Sequence, residues 1–249
     1  MASDEEIAVG IHAVFEALAA GEQVRRVVIA RHRERAAAMR PIIEEAKRRR
    51  IPVEVKPEAW FRQFGSARHQ HVAAEMPAFA YAPWDELRKR AAAAADGLIV
   101  VADHIEDPQN LGSIIRAAEG AGALGLVIPD RRSVAVTAAT RRGAAGAASY
   151  LPVARVPNLV RALEDLKAGG FWISGLTAAP DSVNYTDIDF RGRLALVVGA
   201  EGKGLSRLVA EHCDHLIRIP MGGKVASLNA AAACAVVLFE AVRQRAKSL

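Results

Sequence analysis

From Gly97 onward, short apolar runs return with room for a helical stretch between most of them: residues 98–101, 124–128, 151–156, 171–174, 194–198 and 216–219. Runs of four to six residues rich in valine, leucine and isoleucine suit strands buried on both faces. Strands alternating with helices predict an α/β class, a mostly parallel sheet covered by helices on both sides. Ligands of open sheets bind outside the carboxyl ends of the strands, so the turns after these runs are where chemistry is expected. Three such turns concentrate amide, charged and glycine residues. They are Asn110-Leu111-Gly112-Ser113-Ile114-Ile115-Arg116, Gly199-Ala200-Glu201-Gly202-Lys203-Gly204, and Ile219-Pro220-Met221-Gly222-Gly223 followed by Ser227-Leu228-Asn229.

The second turn is neither a dinucleotide fingerprint nor a Walker loop. Its glycines fall three and two apart, the reverse of a Rossmann turn, and Lys203 precedes Gly204 instead of a magnesium-binding Ser or Thr. Taken alone, the glycines also fit a structural turn. Glu201 has little packing purpose there and is a functional candidate. Asp107-Pro108 reads as the cap and first turn of a helix. Asn110 and Arg116 are then roughly 240° apart, so if they cooperate Asn110 acts from the loop ahead of the helix. Without the other motifs they read equally well as a turn cap and a solvated side chain. Ser227 is a natural N-cap for an apolar last helix over about 227–246, whose basic end carries Arg243, Arg245 and Lys247. Asn229, just inside it, needs a polar partner from backbone or ligand. Residues 219–223 offer an apolar wall with open backbone groups, suited to an adenine ring. His212-Cys213-Asp214-His215 is not read as a metal site, because adjacent residues at a helix-to-strand junction diverge, and no metal is expected. Cys213 and Cys234 lack a Cys-x-x-Cys pair, which argues against a disulfide framework.

Ahead of residue 97 the pattern differs. Residues 7–20 are amphipathic and stopped by Gly21, 24–30 are strand-like, 41–50 helical, and 53–56 and 77–82 further short strands. This reads as a separate small α/β domain over 1–81, a linker over 82–96 whose alanine run favours helix, and a second domain over 97–249. The net charge is +5, and residues 25–50 hold ten basic side chains, Arg25, Arg26, Arg31 and Arg33 among them, against three acidic ones. A solvated helix face explains such a run as readily as phosphate contact. The arginine dominance tilts the balance toward phosphate, whose oxygens fit the planar guanidinium fork. No stretch approaches the ~20 apolar residues of a membrane span, so a cytoplasmic protein is expected.

Beyond the three turns, Gly10-Ile11-His12-Ala13-Val14, His69-Gln70, Asp107-Pro108-Gln109-Asn110-Leu111-Gly112 and Arg191-Gly192-Arg193 running on through Gly202 carry a resemblance, as do Glu211-His212-Cys213-Asp214 and Glu240-Ala241-Val242-Arg243-Gln244-Arg245. Nearly end to end, the chain resembles the SpoU (TrmH-type) RNA ribose 2′-O-methyltransferases of the SPOUT superfamily, closest to the branch that methylates a guanosine ribose of 23S ribosomal RNA. The resemblance implies a C-terminal SPOUT α/β trefoil-knot methyltransferase domain with a small N-terminal α/β substrate-binding domain. It also implies S-adenosyl-L-methionine bent inside the knot, ribosomal RNA as partner, and a homodimer through the C-terminal domains. Catalytic positions then fall on Asn110, Arg116, Glu201, Ser227 and Asn229, and cofactor contacts on Gly199, Ile219, Met221 and Leu228. RNA contacts are expected from Arg25, Arg26, Arg31, Arg33, His69 and Gln70. Two residues depart from the family pattern: His71 stands where glycine usually follows His-Gln, and Lys224 replaces a small residue after the glycine pair.

The implied reaction is an in-line attack of a ribose 2′ oxygen on a sulfonium methyl, which requires alignment and help in losing the hydroxyl proton. A guanidinium has a pKa above ~12, so gripping phosphate and polarising the hydroxyl is a cheaper role for Arg116 than general base. Transfer RNA or another ribosomal site are alternative targets, and a non-catalytic RNA-binding or ribosome-assembly protein is the alternative class. Retention of all five polar site residues favours the enzyme.

Overall fold

The computed structural model describes residues 5–19, 23–65, 69–179, 181–225 and 227–246. Gly21, read as the stop of the first helix, and Lys247 lie outside the described residues. The chain divides into two compact units, Met1–Ala80 with Thr137–Arg142, and Tyr81–Val136 with Gly143–Leu249.

In the first unit β1 (Glu5–Val9), α1 (Ile11–Ala19), β2 (Arg26–Ala30), α2 (Arg40–Arg48), β3 (Val53–Lys56) and β4 (Val72–Pro77) give a four-stranded sheet in the order β1-β4-β2-β3. Only β2 and β3 run parallel. One face packs Val27, Ile29, Val72, Ala74 and Met76 against Val14 and Leu18 of α1 and Ile42 of α2; the other packs Val28, Ala30 and Ala73 on Phe61. Residues 7–20 are therefore not one helix: a strand turns into a helix at Gly10, whose φ of 97° lies in the left-handed region that favours glycine. The strand expected over 77–82 lies instead at Val72–Pro77. Its alanines have low β propensity, and it is held as a strand by partners on both sides.

The second unit opens with α3 (Trp84–Ala93), within the stretch read as a linker, and Leu87 and Ala91 of that helix are buried in its core. It continues through β5 (Leu98–Asp103), α4 (Pro108–Gly120), β6 (Gly125–Pro129), α5 (Ala138–Ala144, shared between the units), β7 (Val153–Val156), α6 (Leu159–Ala168) and β8 (Trp172–Leu176). The two-residue β9 (Val183–Asn184), β10 (Leu194–Gly199), α7 (Arg207–Glu211), β11 (His215–Arg218) and α8 (Ala230–Ala246) complete it. Seven parallel strands pair in the order β7-β6-β5-β10-β8-β11-β9. Ile99, Val101, Ala195 and Val197 turn one face toward α3, α6 and α7, while α4 and α8 pack on each other on the opposite side, as side-chain alternation along a strand requires. The basic end of α8 does more than offset a helix dipole: Arg245 donates to the carbonyls of Asp96, Phe190 and Gly192. Among the described residues no helix is long and apolar enough to cross a membrane.

Candidate active site

Three neighbouring strands of the second unit, β10, β8 and β11, end at one cavity of about 710 Å³, a size typical of small-molecule pockets. Val198, Gly199, Ala200, Glu201, Gly202 and Gly204 line it from the end of β10, Leu176, Thr177 and Ala178 from β8, and Arg218, Ile219, Pro220 and Met221 from β11. Ser227, Leu228, Asn229, Ala230 and Ala233 close it at the start of α8.

The glycine turn is a closed loop. The Gly204 N–H donates to the Ala200 carbonyl at 2.8 Å, with Gly202 at φ 74° and Gly204 at φ 66°. Gly199 lies so close beneath that an added Cβ would stand 2.2 Å from Gly204 C and 2.5 Å from Leu205 N. Glycine at 199 is thus required by the loop folding over it. The loop's far end is fixed by Asp103, a buried carboxylate at the end of β5 whose Oδ2 accepts the Ser206 N–H at 2.6 Å. Sequence reasoning missed Asp103, although its signal was an acidic residue closing an otherwise apolar run. Glu201 is exposed at the crest of the loop.

The N-cap expected at Ser227 belongs instead to Asn229, whose Oδ1 accepts the Ala232 N–H at 2.7 Å while its carbonyl accepts from Ala233. The helix starts three residues later than anticipated, so Ser227 is exposed ahead of it. Asn229 therefore has its polar partner in the backbone and still lines the cavity. Asp107 caps α4 as the sequence indicates, accepting the Asn110 N–H at 2.9 Å. That places Asn110 inside the first helical turn, not in the loop ahead of it. Neither Asn110 nor the exposed Arg116 lines the cavity. Thr177, Ala178 and Arg218 do line it and carried no motif; the residues just after β8 carry neither glycine nor charge until Asp181, and Arg218 is the last residue of a strand. Arg218 donates through Nε to Asn184 Oδ1 at 3.1 Å. Lys224 is exposed beyond the wall. Burial pushes the thiols of Cys213 and Cys234 up to about 12, aided at Cys213 by Asp214, so neither is a nucleophile at neutral pH. Asp214 itself accepts from Lys167 and the Ile173 N–H.

In the first unit the basic segment divides by partner. Arg25 and Arg31 are exposed and Arg33 half-buried. Arg26, expected to contact RNA, bridges buried Glu75 at 2.6 and 2.9 Å and Glu54 at 2.8 Å, so its fork is engaged within the sheet. Gln70 accepts the Ile11 N–H at 2.9 Å and thereby anchors the start of α1. His69 is half-buried against the Phe61 ring.

Residues 97–239 match the model of the SpoU rRNA Methylase family, and residues 7–82 that of the RNA 2′-O ribose methyltransferase substrate-binding domain. The chain belongs to the SpoU rRNA methylase family. It is 39% identical over 246 residues to YacO of Bacillus subtilis (strain 168), named as a TrmH family tRNA/rRNA methyltransferase, with 98% of each chain covered. Among solved structures it is similar to the SpoU methyltransferase AviRb from Streptomyces viridochromogenes in complex with AdoMet (TM-score 0.65, 29% identity, 98% of this chain and 91% of that one). It is similar also to the AdoMet-bound rRNA methyltransferase from Sinorhizobium meliloti (TM-score 0.64, 27% identity, 97% and 88%). The architecture is that of a SpoU methyltransferase, an N-terminal substrate-binding domain followed by a C-terminal SPOUT domain.

Proposed function

We propose that the protein transfers a methyl group from S-adenosyl-L-methionine to the ribose 2′-OH of a guanosine in 23S ribosomal RNA, acting as a homodimer through its methyltransferase unit. The observation that carries this reading is the single cavity shared by the glycine turn, the 219–221 wall and the start of α8. The residues present fit the cofactor: a backbone-rich turn from Gly199 to Gly204 and apolar Ile219, Met221 and Leu228 suit a nucleoside with a polar tail. When bound, S-adenosylmethionine supplies an electrophilic methyl on sulfur.

The chain's own residues supply alignment and proton management. Glu201 and Asn229 line the cavity and orient the ribose, with Asn229 fixed by its cap bond to Ala232. Ser227 offers a hydroxyl at the same rim. Arg116, standing outside the cavity in one copy, grips the phosphate next to the target ribose and polarises its hydroxyl, with Asn110 completing the polar shell. That assignment requires a second copy or the RNA itself to bridge the distance. Val225 and Phe239 of the methyltransferase unit are exposed apolar side chains that a second copy would cover.

The test is to incubate the full chain with S-adenosylmethionine and either unmodified ribosomal RNA or transfer RNA, then map ribose methylation by resistance to alkaline cleavage. A new 2′-O-methylguanosine in 23S RNA is expected. Methylation of transfer RNA alone would move the substrate, and none on either RNA would favour the non-catalytic alternative.

A further inference from the structure

Outside the cavity, two histidines and one glutamate from three separate segments of the first unit meet at one spot. His32 lies in the short 3-10 turn after β2, Glu58 opens the 3-10 stretch Glu58–Phe64, and His71 ends the turn that leads into β4. One donor atom from each falls within 4.8 Å of the others. His71 Nε2 is 3.3 Å from Glu58 Oε1, and His32 Nδ1 is 3.9 Å from Glu58 Oε2.

We propose that His32, Glu58 and His71 bind a zinc ion, which fastens the turn 69–71 to the end of β2. Two imidazole nitrogens and a carboxylate are a donor set that zinc accepts in three-ligand sites, with a fourth position left for water. Zinc–ligand bonds of roughly 2.0–2.2 Å in a tetrahedron put ligand atoms roughly 3.3–3.5 Å apart. The His71–Glu58 pair at 3.3 Å already has that spacing, the His32–Glu58 pair at 3.9 Å must close by about 0.5 Å and a pair at the 4.8 Å limit by about 1.4 Å, within the reach of exposed His32 and Glu58 side chains.

His71 is the fixed member. Its carbonyl accepts from Ala30 at 3.0 Å, its N–H donates to His69 Nδ1 at 3.1 Å, and its ring lies edge-on to buried Phe61 with centroids 5.7 Å apart. Its φ of 60° lies in the region that favours glycine, so an L residue is kept there at a backbone cost. A side chain held at a position where glycine is cheaper points to a role for that side chain. The Arg33 charge opposes a cation, so binding in the micromolar range is expected rather than the tighter binding of closed zinc sites.

Calorimetric titration of the chelator-treated full chain with zinc chloride, in the presence of excess magnesium, tests the site. One zinc per chain is expected. His71→Gly and His32→Ala should each weaken it beyond the roughly 10- to 100-fold that loss of an outer-shell partner costs. His71→Gly is compatible with the backbone found at 71, so the metal-free variant should melt no lower than metal-free wild type, and zinc should raise the melting temperature of wild type alone. His212→Ala, in the His212–His215 segment of the second unit, should leave binding unchanged. Absence of zinc binding, or equal binding by wild type and both site variants, overturns the proposal.

Discussion

Gly199→Ala isolates what the glycine turn does. The added methyl would stand 2.2 Å from Gly204 C, 2.3 Å from Gly204 O and 2.5 Å from Leu205 N, all backbone atoms. To reach ordinary van der Waals separation the loop over it must retreat by about 1 Å. Overpacking of this kind costs about 1–3 kcal/mol in a rigid core. Here residues 201–204 are exposed and can shift outward although Asp103 holds the loop's far end, so the stability loss should fall near the lower bound, about 1 kcal/mol. Ligand binding has no such freedom, because the same loop is one wall of the cavity. If binding must force that wall back against the new methyl, the cost approaches the upper end of the overpacking range, and about 2.7 kcal/mol is about 100-fold in affinity. Calorimetry with S-adenosylmethionine should therefore show about a 100-fold weaker Kd for Gly199→Ala, while urea unfolding shifts only slightly. Gly202→Ala is the control: its φ is 74° but nothing lies within 4 Å of the new Cβ, so it carries only the left-handed backbone cost of about 1–2 kcal/mol and no displaced wall. Wild-type affinity in Gly199→Ala, or an equal loss in both variants, refutes the argument from backbone contact.

Arg116→Ala should keep S-adenosylmethionine affinity, since Arg116 lies outside the cavity, while turnover on RNA falls by about 100-fold or more. Undiminished methylation would remove Arg116 from the chemistry. Arg26→Ala leaves Glu75, whose side chain is 5% exposed, without its bidentate partner. Breaking a buried pair costs about 3–5 kcal/mol, and because the Arg26 side chain is 39% exposed, water reduces this to about 2 kcal/mol in urea unfolding. Arg31→Ala should leave stability within about 0.5 kcal/mol. Because each phosphate contact contributes roughly 0.7 to 0.9 to the slope of log affinity against log salt, Arg31→Ala should flatten the RNA-binding slope by about that amount. Arg26→Ala at the same salt slope as wild type, with Arg31→Ala flattened, is the pattern expected; the reverse would restore Arg26 to the RNA face.

The sheet was legible because its strands advertise themselves twice, by composition and by regular alternation with helices. Each of the six runs after Gly97 overlaps a strand of the parallel sheet, within a few residues at the ends. β9 escaped because Val183–Asn184 is too short to carry a pattern and pairs only along β11. β4 was shifted because Val72-Ala73-Ala74-Glu75-Met76-Pro77 has one branched side chain, Val72, and no alternation, and only β1 and β2 on its flanks make it a strand. The trefoil knot implied by the family likeness has no local trace at all, since threading is a relation between distant segments.

The site was legible wherever chemistry needed an unusual residue at a strand end, and obscure wherever it needed only backbone. Glu201, Met221 and Asn229 stand out among glycines and alanines; Thr177 and Ala178, which line the same cavity, do not. The basic segment shows the deeper reason. Charge is a property of one residue, but whether that charge is available to a ligand depends on its partner. Arg26 finds Glu75 49 residues away, directly across the β2–β4 ladder, and no window on the sequence connects them. Gln70 meets the Ile11 N–H at 59 residues' separation. Ten basic residues between 25 and 50 are thus an upper bound on an RNA footprint. The footprint itself is what remains after the sheet has taken Arg26, the Glu45 carboxylate has paired Arg48, and the Leu18 carbonyl has bound Arg49. Exposed Arg31, Arg35, Arg40, Lys47 and Arg50 are the side chains on which the electrostatic reading of this domain rests.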